Sequence, residues 1–385
     1  MSLSFWMSVL NLMIVLVVFC IILVFITQNE RKKEVVPLKN KNLISGSWTV
    51  SVLIPAHNEE KSIEKCITSC LRQTRPPDKI IVVNDGSTDN TLKILKSFGN
   101  RIKIVNLEKN TGNKSKAQEV GLKYVDTDIF ITVDADTRLD KNFVFQILKS
   151  FYEKDIVAVC GMVESEKGNW ITKVREINYL IGQTIYKKAQ IAISALFVLS
   201  GCASGFKTEE FKKIVTFDHD TVTEDLDFTY KLKLANKKLD FNNQAIVYTQ
   251  DPNNLKSYFK QLYRWYSGGW TCLKKNVKIF SKPNNALMLS LIYVEGFLMG
   301  ALFLFAPLLV FIGIKYFAYL LLLQFLIVSI CLSYGIFKYK KYSLYLYLPH
   351  HYFLGLADKS IFVGSFFKEI ILNKRNLQWQ KADRY

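Results

Sequence analysis

The 385 residues are 50% hydrophobic and 14% aromatic, with a formal net charge of +18. That length holds one large domain or two ordinary ones. Seven cysteines fall without metal-site or disulfide-framework spacing, which argues against a stapled scaffold or a zinc module and suits a reducing compartment. The positive excess fits nucleic acid, anionic lipid headgroups or an anionic substrate. With long apolar runs and no nucleic-acid motif, headgroups and a nucleotide substrate are the better readings.

Phe5 to Ile26 carries no charge and is long enough to cross a bilayer core. It lacks a small-residue cleavage site, so residues 1–29 read as an anchor rather than a cleaved signal. A basic linker, 30–48, follows with Arg31, Lys32, Lys33, Lys39 and Lys41. Lys and Arg flank the cytoplasmic ends of spans, so the next domain, 49–254, is expected in the cytoplasm of a multi-pass plasma-membrane protein. Ala286 to Ile314 and Tyr316 to Phe337 read as two clear spans within a membrane region, 283–372. Leu344 to Phe367 contains Pro349, His350, His351, Asp358 and Lys359, and reads as a third span or a re-entrant or interfacial segment. A basic tail occupies 373–385.

Within 49–254, strand and helix patterns alternate with short loops. Strands are expected over Trp48 to Pro55, Lys79 to Val83, Ile102 to Leu107, Phe130 to Val133 and Val157 to Val163. Helices are expected over Ser62 to Gln73, on to Phe98, over Lys114 to Tyr124, and as one long helix from Ile171 to Ala192. Such alternation predicts an α/β domain with a mostly parallel central sheet. Three successive strand ends carry polar clusters: Asn58/Glu59, Asp85, and Asp134/Asp136. In a parallel sheet these ends share one edge, so the clusters converge on one crevice. Two carboxylates there repel unless a cation sits between them and an anionic ligand, which points to a divalent metal holding a diphosphate. Asp89 is placed to cap the helix after Asp85.

Further on, Leu199 to Phe206 packs small residues, as a tight turn or a close ligand approach requires. Thr223-Glu224-Asp225 opens a helix, with Thr223 in the N-cap position and acids in the first turn. On a helix, Gln261, Arg264 and Trp265 share one face, within an aromatic and basic segment, 255–282, expected to lie in the membrane interface.

Five motifs now stand in order: Pro55-Ala-His-Asn-Glu59, Asp85-Gly-Ser, Asp134-Ala-Asp136, Thr223-Glu-Asp225 and Gln261-Leu-Tyr-Arg264-Trp265. The set resembles the processive, membrane-embedded family 2 glycosyltransferases, whose members include poly-N-acetylglucosamine, chitin, hyaluronan and cellulose synthases. The resemblance implies a GT-A-type nucleotide-sugar domain flanked by transmembrane and interfacial helices. It further implies a UDP-sugar donor, with UDP-N-acetylglucosamine the first choice, a growing glycan or lipid acceptor, and Mg²⁺ or Mn²⁺. It assigns Pro55, Asn58, Glu59, Asp85, Lys114 and Asp134 to the nucleotide, and Asp136 to the metal. Asp225 becomes the general base, supported by Glu224. Gln261 and Arg264 hold the diphosphate, while Trp265, Gly201 and Cys202 line the acceptor. The chain departs from the family at Asn113-Lys-Ser-Lys-Ala-Gln-Glu119, which keeps the lysine of the family's Gly-Lys-Ala segment and loses its neighbours. The resemblance fits a polymer synthase first, and a lipid glycosyltransferase adding one sugar as the alternative.

Overall fold

A computed structural model describes residues 48–373 apart from 153, 154, 167 and 305. The expected first span, linker and basic tail lie outside the described residues.

Strand β1 (Val50–Ala56) leads to helix α1 (Ile63–Leu71), then β2 (Lys79–Asp85), α2 (Thr91–Ser97) and β3 (Lys103–Leu107). Next come α3 (Lys114–Leu122), β4 (Ile129–Thr132), the short β5 (Thr137–Leu139), α4 (Phe143–Ser150) and β6 (Ile156–Ser165). Helix α5 (Trp170–Ile181) passes through a π-helical turn, Gly182–Tyr186, into α6 (Lys187–Ala192). The domain closes with β7 (Ser204–Lys207), α7 (Thr208–Ile214), α8 (Glu224–Leu234) and β8 (Lys238–Thr249).

The strand order is β3-β2-β1-β4-β7-β6-β8-β5. β1 pairs in parallel with β2 and β4, and β2 with β3. This half is the parallel sheet that the alternating pattern predicts, with inner strands buried on both faces. Beyond β4 the sheet is mixed: β7 is antiparallel to β4 and β6, and β5 to β8. The expectation of a mostly parallel sheet is therefore corrected in its second half. The small-residue run through Ser204 gave no strand signal, and β8 opens on the polar stretch Lys238 to Gln244, broken only by Leu239 and Phe241, before its short apolar run Ala245 to Tyr248.

An aromatic cluster fixes the C-terminal half of the domain to the parallel half. Phe130 of β4 stacks on Phe206 of β7 with centroids 5.0 Å apart, and Phe206 meets Phe228 of α8 at 5.3 Å. Phe211 of α7 closes the group at 4.8 Å from Phe206. All four rings are buried. Such pairs add roughly 0.5–1.5 kcal/mol each beyond area burial. They lock the start of α8 opposite the end of β4.

The described residues that follow are mainly helical: α9 (Leu255–Lys275), α10 (Pro283–Leu304), α11 (Ala306–Tyr339) and α12 (Leu348–Phe366). Lys315, expected to separate two spans, lies inside α11. Among the described residues no helix is long and apolar enough to cross a membrane.

α9 is amphipathic as expected, burying Tyr258, Leu262, Trp270 and Cys272. Its Gly268 packs against the residue before α8. A Cβ at Gly268 would lie 2.5 Å from Thr223 Cγ2 and Oγ1, so only glycine allows this approach. Trp270 packs on Tyr293 of α10 and Phe362 of α12, with centroids at 4.6 and 4.9 Å, and ties the helices into one body with the domain.

Candidate active site

The parallel strands end at one edge, as expected. β1 runs into His57-Asn58-Glu59, β2 ends at Asp85, and β4 gives way to Asp134 and Asp136. These residues line a cavity of ≈ 1110 Å³. The wall also carries Pro55, Lys114, Gly201, Cys202, Glu224, Asp225, Gln261, Arg264 and Trp265. Every residue given a site role by the resemblance thus lines one space, larger than one small ligand requires.

The loops at the sheet edge brace each other. Asn58 has φ +53°, and its Oδ1 accepts from Thr88 N at 2.8 Å while Ser87 Oγ accepts from Asn58 N at 3.0 Å. Gly86, at φ +58°, leaves no room for a side chain: a Cβ would lie 2.2 Å from Asn110 N. Both Asp85 oxygens accept from Thr111, from its N and its Oγ1, at 2.9 Å. His57 Nδ1 is 2.7 Å from Asp85 O, which can only accept, so Nδ1 carries the proton and Nε2 accepts from Asn110 Nδ2 at 2.6 Å. Asp89 Oδ1 accepts from Thr91 N at 2.9 Å at the start of α2, but the N-cap position itself is Asn90, one residue later than expected.

One expected cap is modified, and one nucleotide candidate also orders a helix start. Glu59 borders the cavity, but its carboxylate accepts from Ser62 Oγ at 2.7 Å and its carbonyl from Ile63 N at 2.9 Å, so it organises the start of α1. Thr223 occupies the N-cap position of α8 without a side-chain cap bond. Its hydroxyl instead lies 3.2 Å from Thr221 Oγ1 and 3.4 Å from Cys272 Sγ, because α9 presses against it at Gly268.

Lys114 is the electrostatic centre. Its Nζ lies 2.6 Å from Asp134 Oδ1 and 2.8 Å from Glu224 Oε1, joining the β4 edge to the start of α8. Burial pulls the ammonium pKa down, but these two carboxylates outweigh burial and hold it above the ordinary lysine value. Asp225, the next residue, has no such partner. Burial first, then the charge of Glu224, push its pKa up to about 6 against the opposing pull of Lys114 and two amides. Those amides are Leu226 N, 2.9 Å from Oδ1, and Gly201 N, 3.3 Å from Oδ2. The result is a carboxylate whose basicity suits proton abstraction near neutral pH. The Cys202 thiol is raised well above its ordinary value by burial and by Asp134 and Asp136, so it stays protonated.

Asp134 and Asp136 form a hard-oxygen corner. Thr137 Oγ1 is 3.3 Å from Asp136 Oδ1, and the Lys114 ammonium already meets the need for a cation beside Asp134. Among the described residues no group of three or more His, Cys, Asp or Glu could hold a metal unaided. One or two carboxylates completed by a ligand's phosphates is the usual arrangement for Mg²⁺, so this donor set fits a metal–diphosphate and not a metal alone.

Residues missed in the sequence complete the α9 wall. Arg175 of α5, 2% exposed, donates from Nη2 to Gln261 Oε1 at 3.0 Å. Its guanidinium carbon also lies 4.7 Å from the Trp265 ring centroid. Asp251, after β8, accepts from Tyr179 OH at 2.9 Å and from Ser165 Oγ. Lys187 donates to Ser200 Oγ at 2.9 Å, supporting the loop that carries Gly201. An arginine on the apolar face of α5, between Ile171 and Asn178, was the one available signal.

Comparison with known proteins agrees with this geometry. The family profile "Glycosyl transferase family 2" matches residues 51–215. Poly-beta-1,6-N-acetyl-D-glucosamine synthase of Staphylococcus epidermidis (strain RP62A) is 29% identical over 231 residues, 59% of this chain and 56% of that protein. The synthase of the same name from Staphylococcus aureus (strain COL) is 28% identical over 233 residues, with the same shares. The matched segment thus spans little more than half the length of these relatives. Among solved structures, the mannosyltransferase PcManGT from Pyrobaculum calidifontis, in complex with GDP-Man and Mn²⁺, superposes with a TM-score of 0.58 at 16% identity, covering 94% of this chain and 100% of that one. That likeness extends the fold correspondence past the domain into the C-terminal helices. The profile match thus falls on the domain at residues 51–215, whose polar strand ends gather on one cavity.

Proposed function

We propose that the chain is an inverting glycosyltransferase that uses a UDP-sugar to elongate a β-linked polysaccharide at the cytoplasmic face of the plasma membrane, passing the product into the helical region. The carrying observation is the single cavity in which Asp134 and Asp136, the Asp225 carboxylate, and Arg264 and Trp265 meet. Relatives named for a polymer of N-acetylglucosamine support UDP-N-acetylglucosamine as the donor.

In this reading an acceptor hydroxyl oxygen attacks the anomeric carbon opposite the diphosphate. The bond from that carbon to the diphosphate oxygen breaks, its electron pair leaves with UDP, and the hydroxyl proton passes to Asp225. Glu224 and Lys114 set the basicity of Asp225. Arg264 and Gln261 donate to the leaving diphosphate, where charge develops. Asp85 engages the uracil or ribose, while Trp265 stacks on the acceptor sugar above Gly201 and Cys202. Asp136, with Asp134 beside it, would hold Mg²⁺ or Mn²⁺, which neutralises charge on the diphosphate when bound.

Passage of a polymer is supported by the far end of the cavity. It runs between α10, α11 and α12, past Glu295, Gln324, His351, Tyr352, Asp358 and Lys359. Membrane placement is supported by the uncharged run Phe5 to Ile26 and by an exposed apolar face on α11, where Leu322, Leu326 and Ile330 recur at helical spacing. A second reading, transfer of one sugar to a lipid, is favoured by Met288, Leu291, Ile292, Ile327 and Val328 in the same end of the cavity. The test is a donor screen on the purified chain with Mn²⁺, measuring UDP release and product size. Long glycans from one UDP-sugar support the polymer reading, a monoglycosylated lipid supports the second, and no UDP release from any donor overturns both.

A further inference from the structure

Gln261 and Trp265 lie one helical turn apart on α9. Both meet one side chain from another element. The Arg175 guanidinium donates to Gln261 Oε1 at 3.0 Å and covers a face of Trp265 with its carbon 4.7 Å from the ring centroid. It also lies 4.5 Å from the Tyr258 centroid, so two rings of α9 flank one cation. Behind it, Arg175 Nε is 3.9 Å from Asp251 Oδ1, and that carboxylate is fixed by Tyr179 and Ser165. The charge is thus buried but paired, as a persistent interior cation must be.

We propose that Arg175 is the positioning residue of this site: it turns the Gln261 amide and fixes the Trp265 plane, so that the cavity meets an N–H₂ donor beside one open aromatic face. The chemistry is selective. An amide whose oxygen is engaged by an arginine presents only its nitrogen, so Gln261 recognises oxygen acceptors such as diphosphate oxygens. With one face of Trp265 covered by the guanidinium, a sugar ring has the other face to stack on. A planar fork can hold an amide and a ring together, which a lysine point charge cannot. The inference rests on the glycosyltransferase reading for the identity of the ligand, but not for the geometry.

The test uses the full chain. UDP affinity with Mn²⁺ is measured by calorimetry for Arg175→Ala, Gln261→Ala and the double variant. Arg175→Ala is expected to weaken UDP about three- to tenfold alone, and less than about twofold once Gln261 is Ala, as coupled neighbours require. Equal losses in both backgrounds overturn the proposal. Gln261→Glu keeps a partner for Arg175 and removes the donor, so it should weaken UDP at least as much as Gln261→Ala; wild-type affinity would overturn the donor role. Arg175→Lys retains the buried charge and guards against a chain that simply fails to fold with alanine. It should melt near wild type yet still weaken UDP. A second readout needs no nucleotide: the fluorescence component lost in Trp265→Phe should change in Arg175→Ala and Arg175→Lys, and an unchanged component overturns the ring contact. If wild type binds no UDP, the glycosyltransferase reading fails while the fluorescence comparison still decides the role of Arg175.

Discussion

Gly201 and Asp225 touch directly: the Gly201 amide donates to Asp225 Oδ2 at 3.3 Å. A Cβ on Gly201 would lie 3.4 Å from Asp225 Cβ and 3.4 Å from Lys114 Nζ, at ordinary contact distance from both. The space above the carboxylate is therefore kept open by the lack of a side chain rather than by backbone strain. Gly201→Ala is expected to fold with a stability change within about 1 kcal/mol. Its methyl would stand where an acceptor hydroxyl must approach Asp225. The acceptor KM should rise about tenfold or more, as misplacement near a reacting group does, with UDP affinity little changed. Steady-state kinetics beside calorimetry checks this, and an unaltered KM would remove Gly201 from the acceptor site.

Asp225 makes a paired prediction for activity and stability. In the proposed transfer Asp225 must be ionised to act as base, so a pKa near 6 puts the rising limb of the activity profile through about pH 6. The fold raises this pKa above the ordinary 3.8, so it disfavours the charged form. The contribution of Asp225 to stability is complete below pH 3.8 and is lost as pH rises through about 6. Asp225→Asn should lower kcat by about 10²- to 10⁴-fold, the usual worth of a general base. Above pH 6 it should also melt higher than wild type, with the difference closing towards pH 4. Parallel melting curves at all pH values would contradict the burial of this charge.

Lys114 neutralises Asp134 and the buried Glu224 together. Lys114→Met leaves two carboxylates facing each other, and should cost about 3 kcal/mol, the low end for breaking a buried pair because Asp134 is a third exposed. Urea unfolding measures it; a loss below about 0.5 kcal/mol would place the pair in the solvent-screened class instead.

Asp136→Ala is expected to remove the metal-dependent part of UDP affinity. Calorimetric titrations of UDP with Mn²⁺ and with EDTA should differ for wild type and coincide for the variant. A variant that keeps the full difference would show the cation to be held elsewhere.

Gly268→Ala drives a methyl into Thr223, at 2.5 Å from two of its atoms. A stability loss of about 1–3 kcal/mol is expected from such overpacking. Thr223→Gly should recover part of it in the double variant, since it removes the atoms struck. Purely additive losses would mean that the clash is relieved by a shift of α9 elsewhere.

The parallel half of the domain and the motif-bearing part of the cavity wall were legible because each feature is local. An apolar run stops at a polar cluster, and parallel pairing brings the stops together without further information. Asp134, Asp136, Asp85 and Asp225 could be read this way. Arg175 could not, because its partners Gln261 and Asp251 are far along the chain and an arginine on a helix ordinarily reads as surface. β8 escaped for a related reason: its Asn242, Asn243 and Gln244 carry no alternation, and its pairing with β6 includes register shifts. Thr223 shows the opposite failure, a correct local reading displaced by a neighbouring helix.

The π-helical turn at Gly182–Tyr186 makes the spacing of that stretch functional in itself. The widened turn directs Gln183 at β6, where its amide binds both Val163 N and Val163 O at 2.7 Å, like one rung of an extra strand. Just past it, Lys187 reaches Ser200 beneath the Gly201 loop. An α-helix turns by about 100° per residue. Loss of a single codon here would leave a more regular helix and an intact composition, yet swing Lys187 a quarter-turn from Ser200. In-frame single-residue deletions across 182–186 should therefore be far more harmful than substitutions at the same positions, an asymmetry that deletion scanning of the gene would expose.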